Sequence, residues 1–186
     1  MTRLWENTVA EHKLAIREAI LDAAGSLIER DGIVSLNMSS LAVTAGIGRA
    51  TLYKYFEDIR EVLESWHRRK VADHLRQLRD AAEAAATPLE RLRAVLLGFA
   101  HLSHRGSGHQ RAADFHGGAE VAAAEQEVTN LLEEIVSAGQ RAGTFRADLA
   151  AEDLARFCFG AASAASRGGK GSGVAVIELA LQAIVL

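Results

Sequence analysis

The stretch that decides the fold runs from Leu36 to Phe56 and reads LNMSSLAVTAGIGRATLYKYF. Met38, Leu41, Ala42 and Ala45 recur at three- and four-residue steps, which gathers them on one face of a short helix. Asn37 or Ser39 offers a start, because both side chains accept hydrogen bonds from the free amides of a first turn. Gly46 offers the stop, since glycine takes the left-handed conformation that ends a helix. A second short helix follows, with Leu52 and Phe56 four apart on its buried side and Arg49, Ala50, Tyr53 and Lys54 facing outward. Two short helices joined by a tight glycine-containing turn form a helix-turn-helix, which lays its second helix in the major groove of DNA.

Three pieces of this stretch, Leu41-Ala42, Ala45-Gly46-Ile47 and Thr51-Leu52-Tyr53-Lys54-Tyr55-Phe56, resemble the signature of the tetracycline-repressor (TetR/AcrR-type) family. That signature is an Ile/Leu-Ala pair, an Ala-Gly-Val/Ile turn and then Thr-Leu-Tyr-x-Tyr/His-Phe. The resemblance covers residues 12–65; beyond it, only helical layout and length correspond. It implies an all-α fold of about nine helices. A three-helix DNA-binding domain (1–57) would precede an effector-binding and dimerisation domain (58–186). It also implies a homodimeric repressor, released from a palindromic operator by a small, largely apolar ligand. The chain departs from the family after Phe56, where a Ser-Lys pair usually begins the next helix and the Lys meets a phosphate. Asp58-Ile59 stands there, followed by Arg60, so either Arg60 takes over the contact or the contact is absent.

The composition agrees with an all-α chain. It has 186 residues, is 49% hydrophobic and carries a single proline, Pro88, so long helices can run with few interruptions. Alanine is abundant and β-branched runs are rare, which argues against sheet. The lone cysteine, Cys158, excludes an intramolecular disulfide and suits a reducing compartment. The amino-terminal stretch is charged and lacks an apolar core segment, so a cytoplasmic location is expected. The longest apolar run, Val174 to Leu186, is too short to span a bilayer. Residues 1–70 hold ten Lys/Arg against ten Asp/Glu, and the rest holds eleven against fourteen, which accounts for the net charge of −3. DNA affinity must then come from a few placed cations and from pairing two copies, not from bulk charge.

Outside the motif the chain reads as helices in series. A first helix over 11–31 carries the apolar stripe Leu14, Ile16, Ala19, Ile20, Ala23, Ala24 and Leu27, and Asp31-Gly32 ends it. A long helix runs from Asp58 to Ala86, and Pro88 fits the first turn of the next, over 88–104. A short helix is expected over 109–116, a long one over 119–142, and a connector over 142–148. The last two helices, 149–166 and 173–186, are separated by a glycine-rich link. The final one is apolar around nearly its whole circumference, so it must be buried on nearly all sides, which one small domain could hardly supply for both helices, the alternative being a well-packed monomer core. A two-fold four-helix interface through Phe157, Ala161, Ala165, Val176, Ile177, Ala180, Leu181 and Ile184 would bury it, which is how the family dimerises.

Roles follow from side-chain chemistry. The DNA-contact set is Ser39, Gly48, Arg49, Ala50, Thr51, Tyr53, Lys54, Tyr55 and Arg60. Arg49 is the base reader, because a guanidinium can bond guanine O6 and N7 together, and Lys54 reaches a base or a phosphate. Thr51, Tyr53 and Tyr55 have hydroxyls suited to phosphates, though the two tyrosines could instead pack beneath Phe56. By resemblance, an effector pocket is expected around Trp66, Val71, His74, Leu75, Leu78, Leu96, Phe99, Phe115 and His116. His101 and His104 share a helix face near His109, Asp114 and His116, but the spacing matches no metal signature, so no metal and no cofactor is expected. The competing reading is an all-helical carrier or enzyme. No Ser-His-Asp set, phosphate loop or carboxylate pair supports it, and Gly168-Gly169-Lys170-Gly171-Ser172 lacks the spacing of a phosphate loop.

Overall fold

The structure, a computed structural model, describes residues 2–105, 118–168 and 172–186, with side chains over 10–103, 122–168 and 173–186. Eight α-helices make up the described residues, with one 3-10 turn at Ile33–Ser35. They are α1 (Thr2–Asp31), α2 (Met38–Thr44), α3 (Arg49–Leu52), α4 (Ile59–Glu83), α5 (Pro88–Arg105), α6 (Gly118–Arg141), α7 (Ala151–Arg167) and α8 (Ser172–Ile184). The short helix expected over 109–116 lies outside the described residues. The chain forms two compact units, Met1–Lys70 and Val71–Leu186.

In the first unit, α1 starts nine residues earlier than the apolar stripe suggests, because nothing between Thr2 and Ala10 breaks a helix. Its buried face is narrower than the stripe: Ile20, Ala23, Ala24 and Leu27 enter the core, whereas Leu14 and Ala19 are exposed. At about 100° per residue both point some 100–120° away from Ile20. The core is completed by Leu36, Leu41, Ala42, Leu52, Phe56, Val62 and Trp66. The first three turns of α4 therefore pack with this unit, which as a compact unit extends to Lys70, beyond the expected division at 57/58 between the DNA-binding and effector domains. Gly25 is what lets Trp66 in, because a methyl carbon there would stand 2.9 Å from Trp66 Nε1.

In the second unit, Thr87 and Glu90 cap α5 reciprocally: the Thr87 amide donates to Glu90 Oε2 (3.0 Å) and the Glu90 amide to Thr87 Oγ1 (3.2 Å). Pro88 sits at the first helical position, as its missing amide allows. α7 packs on α5, α6 and α8, and α8 also on α5. Their shared core runs through Leu92, Leu96, Leu132, Val136, Phe145, Cys158, Ile177 and Ile184. The connector between α6 and α7 is tied to the end of α8. The Arg146 amide donates to Ile184 O (2.9 Å) and the Leu186 amide to Thr144 O (3.2 Å). Among the described residues no helix is long and apolar enough to cross a membrane.

Candidate nucleic-acid interface

Each turn of the helix-turn-helix has its local cause. Asn37 starts α2: Oδ1 accepts from the Ser39 and Ser40 amides at 3.0 and 2.9 Å, and Ser40 Oγ returns a bond to the Asn37 amide. Of the two candidate caps, Asn37 is the one used. Ala45 closes α2, and Gly46 follows at φ +67°, a backbone state that disfavours any side chain. The Ile47 amide then donates to Ala42 O (3.0 Å), folding the turn onto α2. α3 is a single turn prolonged through residue 56 by bonds from the Tyr53, Lys54, Tyr55 and Phe56 amides.

Leu52 and Phe56 are buried, so the opposite face of this segment is fixed. Arg49, Ala50, Tyr53 and Lys54 are exposed, as are Ser39 at the start of α2 and Gly48 before α3; Thr51 is half-buried. Neither Arg49 nor Lys54 forms an ion pair among the described residues, so both cations are open to solvent. Tyr55 is different. It is half-buried and packs against the core of the first unit, so it is less open to solvent than Tyr53.

The departure after Phe56 has a structural account. Asp58 starts α4 by accepting from the Glu61 amide at 2.9 Å, a duty serine performs equally well. Ile59, where the family carries its lysine, is half-buried against the first core. Arg60 is the next outward residue, with its side chain 75% exposed and 3.9 Å from Glu64.

Arg17 belongs to no motif in the sequence, yet it joins this site. From α1 it donates to Tyr55 O (3.3 Å) and Ser65 Oγ (2.8 Å), and its guanidinium carbon lies 4.3 Å from the centre of the Phe56 ring. A signal existed, for Arg17 precedes Ile20 and Ala24 by three and seven residues and so shares their buried stripe. Arg69 reinforces the same packing from α4 by pairing with Glu18 (2.7 Å) and Asp22 (2.8 Å) on α1.

The expected effector residues do not all come together. Trp66 is in the core of the first unit beside Gly25. Leu75, Leu78 and Leu96 are buried in the core of the second, with Val71 and Phe99 packed against it and His74 half-buried. The Phe99 ring meets Phe159 at 5.2 Å between centres. Phe115 and His116 lie outside the described residues, as do His109 and Asp114. Among the described residues no group of three His, Cys, Asp or Glu side chains is placed to hold a metal ion. A cleft of about 340 Å³ opens elsewhere in the second unit. Arg79, Glu83, Arg91 and Glu134 line it together with Ala82, Pro88, Leu131, Ile135 and Ala138, and none of the expected effector residues among the described ones does.

The residues expected at the dimer interface divide between the protomer's own core and its surface. Ala165, Ile177, Ala180, Leu181 and Ile184 point into the protomer's own core, because α8 turns that side toward α5 and α7. Ala161 and Val176 are half-buried. The exposed apolar positions of these two helices are Phe157 (49%), Val174 (54%) and Leu179 (67%), flanked by Gly160, Ala164, Ala175 and Ala183.

The sequence profile of bacterial regulatory proteins of the tetR family matches residues 20–65. That of the SbtR-like transcriptional-regulator C-terminal domain matches residues 99–183. The HTH-type transcriptional regulator BetI of Rhizobium meliloti (strain 1021) is 36% identical over 84 residues, 43% of this chain and 39% of BetI. The chain thus aligns with about two fifths of that relative's length. A TetR/AcrR-family regulator from Thermobifida fusca superposes with a TM-score of 0.71 at 21% identity, covering 89% of this chain and 94% of its own. The SmeT–triclosan complex superposes with a TM-score of 0.70 at 19% identity, covering 92% of each chain.

Proposed function

The chain belongs to the tetR family of bacterial regulatory proteins, and we propose that it acts as a homodimeric transcriptional repressor that leaves a palindromic operator when a small ligand binds. The observation that carries the reading is the outward face of α3: Arg49 and Lys54 are exposed and without carboxylate partners among the described residues, on a segment whose other face is locked into a core. On that placement Arg49 reads base edges and Lys54 reaches a base or a phosphate. Ser39, Gly48, Ala50, Thr51, Tyr53 and Arg60 lie against the backbone and groove wall, where contacts position the helix without reading sequence. Tyr55 acts from beneath, as packing.

Dimerisation is assigned to the apolar face of α7 and α8 centred on Phe157 and Leu179, which pairs with its copy as a four-helix bundle. Pairing sets the distance between two recognition helices, which must match half-sites about one helical turn apart or a multiple of it. The effector is assigned to the second unit, among Val71, His74, Leu75, Leu78, Leu96 and Phe99. A small, mostly apolar molecule suits that lining, and the structural relative SmeT is seen with triclosan bound. Ligand acts by changing the pitch of α4, so that the two recognition helices no longer fit both half-sites.

The test is selection of bound duplexes from a random DNA pool by the purified protein, alongside Arg49→Ala. The expected result is a palindrome enriched by the wild type and lost in the variant. A wild-type protein that enriches nothing, after unfolding and refolding to strip bound ligand, would favour a carrier without DNA binding.

A further inference from the structure

We infer that Arg17 is a positioning residue for DNA reading, the clamp that holds the end of the recognition segment at a set angle to α4. The inference rests on the DNA-reading proposal above for its consequence, though the geometry stands without it. One side chain from α1 touches three things that define the motif's orientation. It bonds the Tyr55 carbonyl, where the recognition segment ends, and the Ser65 hydroxyl, on the second turn of α4, and it lies over the ring of Phe56 between them. Arg68 Nη2 donates to the same Ser65 oxygen at 3.1 Å, which keeps that hydroxyl turned to accept.

The reason a clamp is needed is the brevity of α3. It spans only Arg49–Leu52, too short to hold its own direction, and its continuation through residue 56 relies on tightened turn bonds. Leu52 and Phe56 bury one face but leave rotation about that apolar contact weakly opposed, because burial is non-directional. A guanidinium supplies direction, since its donors lie in one plane at fixed angles. Arg17 is half-buried and forms no ion pair among the described residues, so its charge is compensated by the Tyr55 carbonyl, the Ser65 hydroxyl and the Phe56 ring. Movement of α4 at Ser65 would therefore be passed to Tyr53 and Lys54 through one side chain.

Arg17→Met keeps the apolar stem and removes the fork; Ser65→Ala removes only the oxygen on α4; Arg17→Lys keeps a charge that can reach one acceptor at a time. In the full-length protein, amide hydrogen exchange over residues 53–56 should quicken in Arg17→Met and, less, in Ser65→Ala, with the exchange of Ile20 and Leu27 unchanged. Operator affinity should fall about tenfold in Arg17→Met, the factor that one or two lost hydrogen bonds supply, and Arg17→Lys should recover part of it. The slope of affinity against salt should stay that of the wild type, because Arg17 neutralises no phosphate. A slope shallower by about one would make Arg17 a direct phosphate contact and overturn the inference. Unchanged exchange at 53–56 would overturn it as well. If the wild type binds no duplex, the DNA-reading proposal fails, and the exchange measurement still decides whether Arg17 positions this segment. If Arg17→Met does not fold, Ser65→Ala carries the same two readouts.

Discussion

Gly139→Ala is a small change with a large expected cost. Gly139 is buried near the end of α6, and a methyl carbon built there would stand 2.9 Å from Phe145 Cγ and closer still to Cδ2 and Cε2. The ring cannot swing aside, because its own backbone is tied to the same glycine: the Thr144 and Phe145 amides both donate to Gly139 O, at 2.8 and 3.3 Å. Phe145 is also fully buried and bridges to Val185. Alanine in a helix interior gains about 1 kcal/mol over glycine. Forcing a methyl into a filled core costs about 1–3 kcal/mol, and ejecting the ring altogether costs about 3–5 kcal/mol. Subtracting the helix gain leaves a destabilisation of about 0–2 kcal/mol if the ring stays and about 2–4 kcal/mol if it leaves, and the depth of the overlap with the ring places the expected cost at the upper end. Gly160→Ala is the reference, since nothing lies within 4 Å of a methyl there in the protomer and the helix gain of about 1 kcal/mol should appear uncancelled. Urea unfolding followed by far-ultraviolet circular dichroism, at two protein concentrations to separate dimerisation, reads both variants. A Gly139→Ala protein as stable as the wild type would refute the reasoning, because Phe145 could not then be seated on α6.

Asn37→Ala should cost about 1 kcal/mol of stability in the first unit, because two amides of α2 lose their acceptor, while Asn37→Asp should be nearly neutral in chemical unfolding. Phe157→Glu together with Leu179→Glu should turn a dimer into a folded monomer by sedimentation velocity; an unaltered dimer would place the interface on another face. Burial pushes the Cys158 thiol up from 9.0 to about 11, so it should resist thiol reagents until the protein unfolds. Because the folded value is the higher one, the associated stability is complete below pH 9 and is lost as pH rises to about 11; Cys158→Ala should flatten that part of the pH–stability curve.

The helix-turn-helix was legible because its signals are local. A capping side chain at Asn37, a left-handed glycine at Gly46 and apolar residues four apart at Leu52 and Phe56 act within a few residues of one another, so spacing alone places them. Pro88 marked the start of α5 for the same reason. Much of the predicted effector lining was less legible. Buried leucines such as Leu75 and Leu78 have the same pattern whether they face a cavity or a neighbouring helix, and Trp66 went to the first unit because Gly25, forty-one residues earlier, leaves room for it.

What the sequence determines by itself is therefore the order of helices, the motif and the face of α3 that looks outward, since these depend on short-range hydrogen bonds and periodicity. Tertiary structure alone decides three further things: that the first unit takes in α4 as far as Lys70, that Arg17 turns inward onto Tyr55 and Ser65, and which side of α8 is exposed. α8 shows why most plainly. With Val174, Val176, Ile177, Leu179, Leu181 and Ile184 spread around its circumference, it has only the narrow polar strip of Glu178 and Gln182, too little to fix its rotation. Packing against α5 and α7 selects Ile177, Ala180, Leu181 and Ile184 for the core and leaves Leu179 outside, a choice made by the shape of its neighbours and not by the hydrophobicity of its own residues.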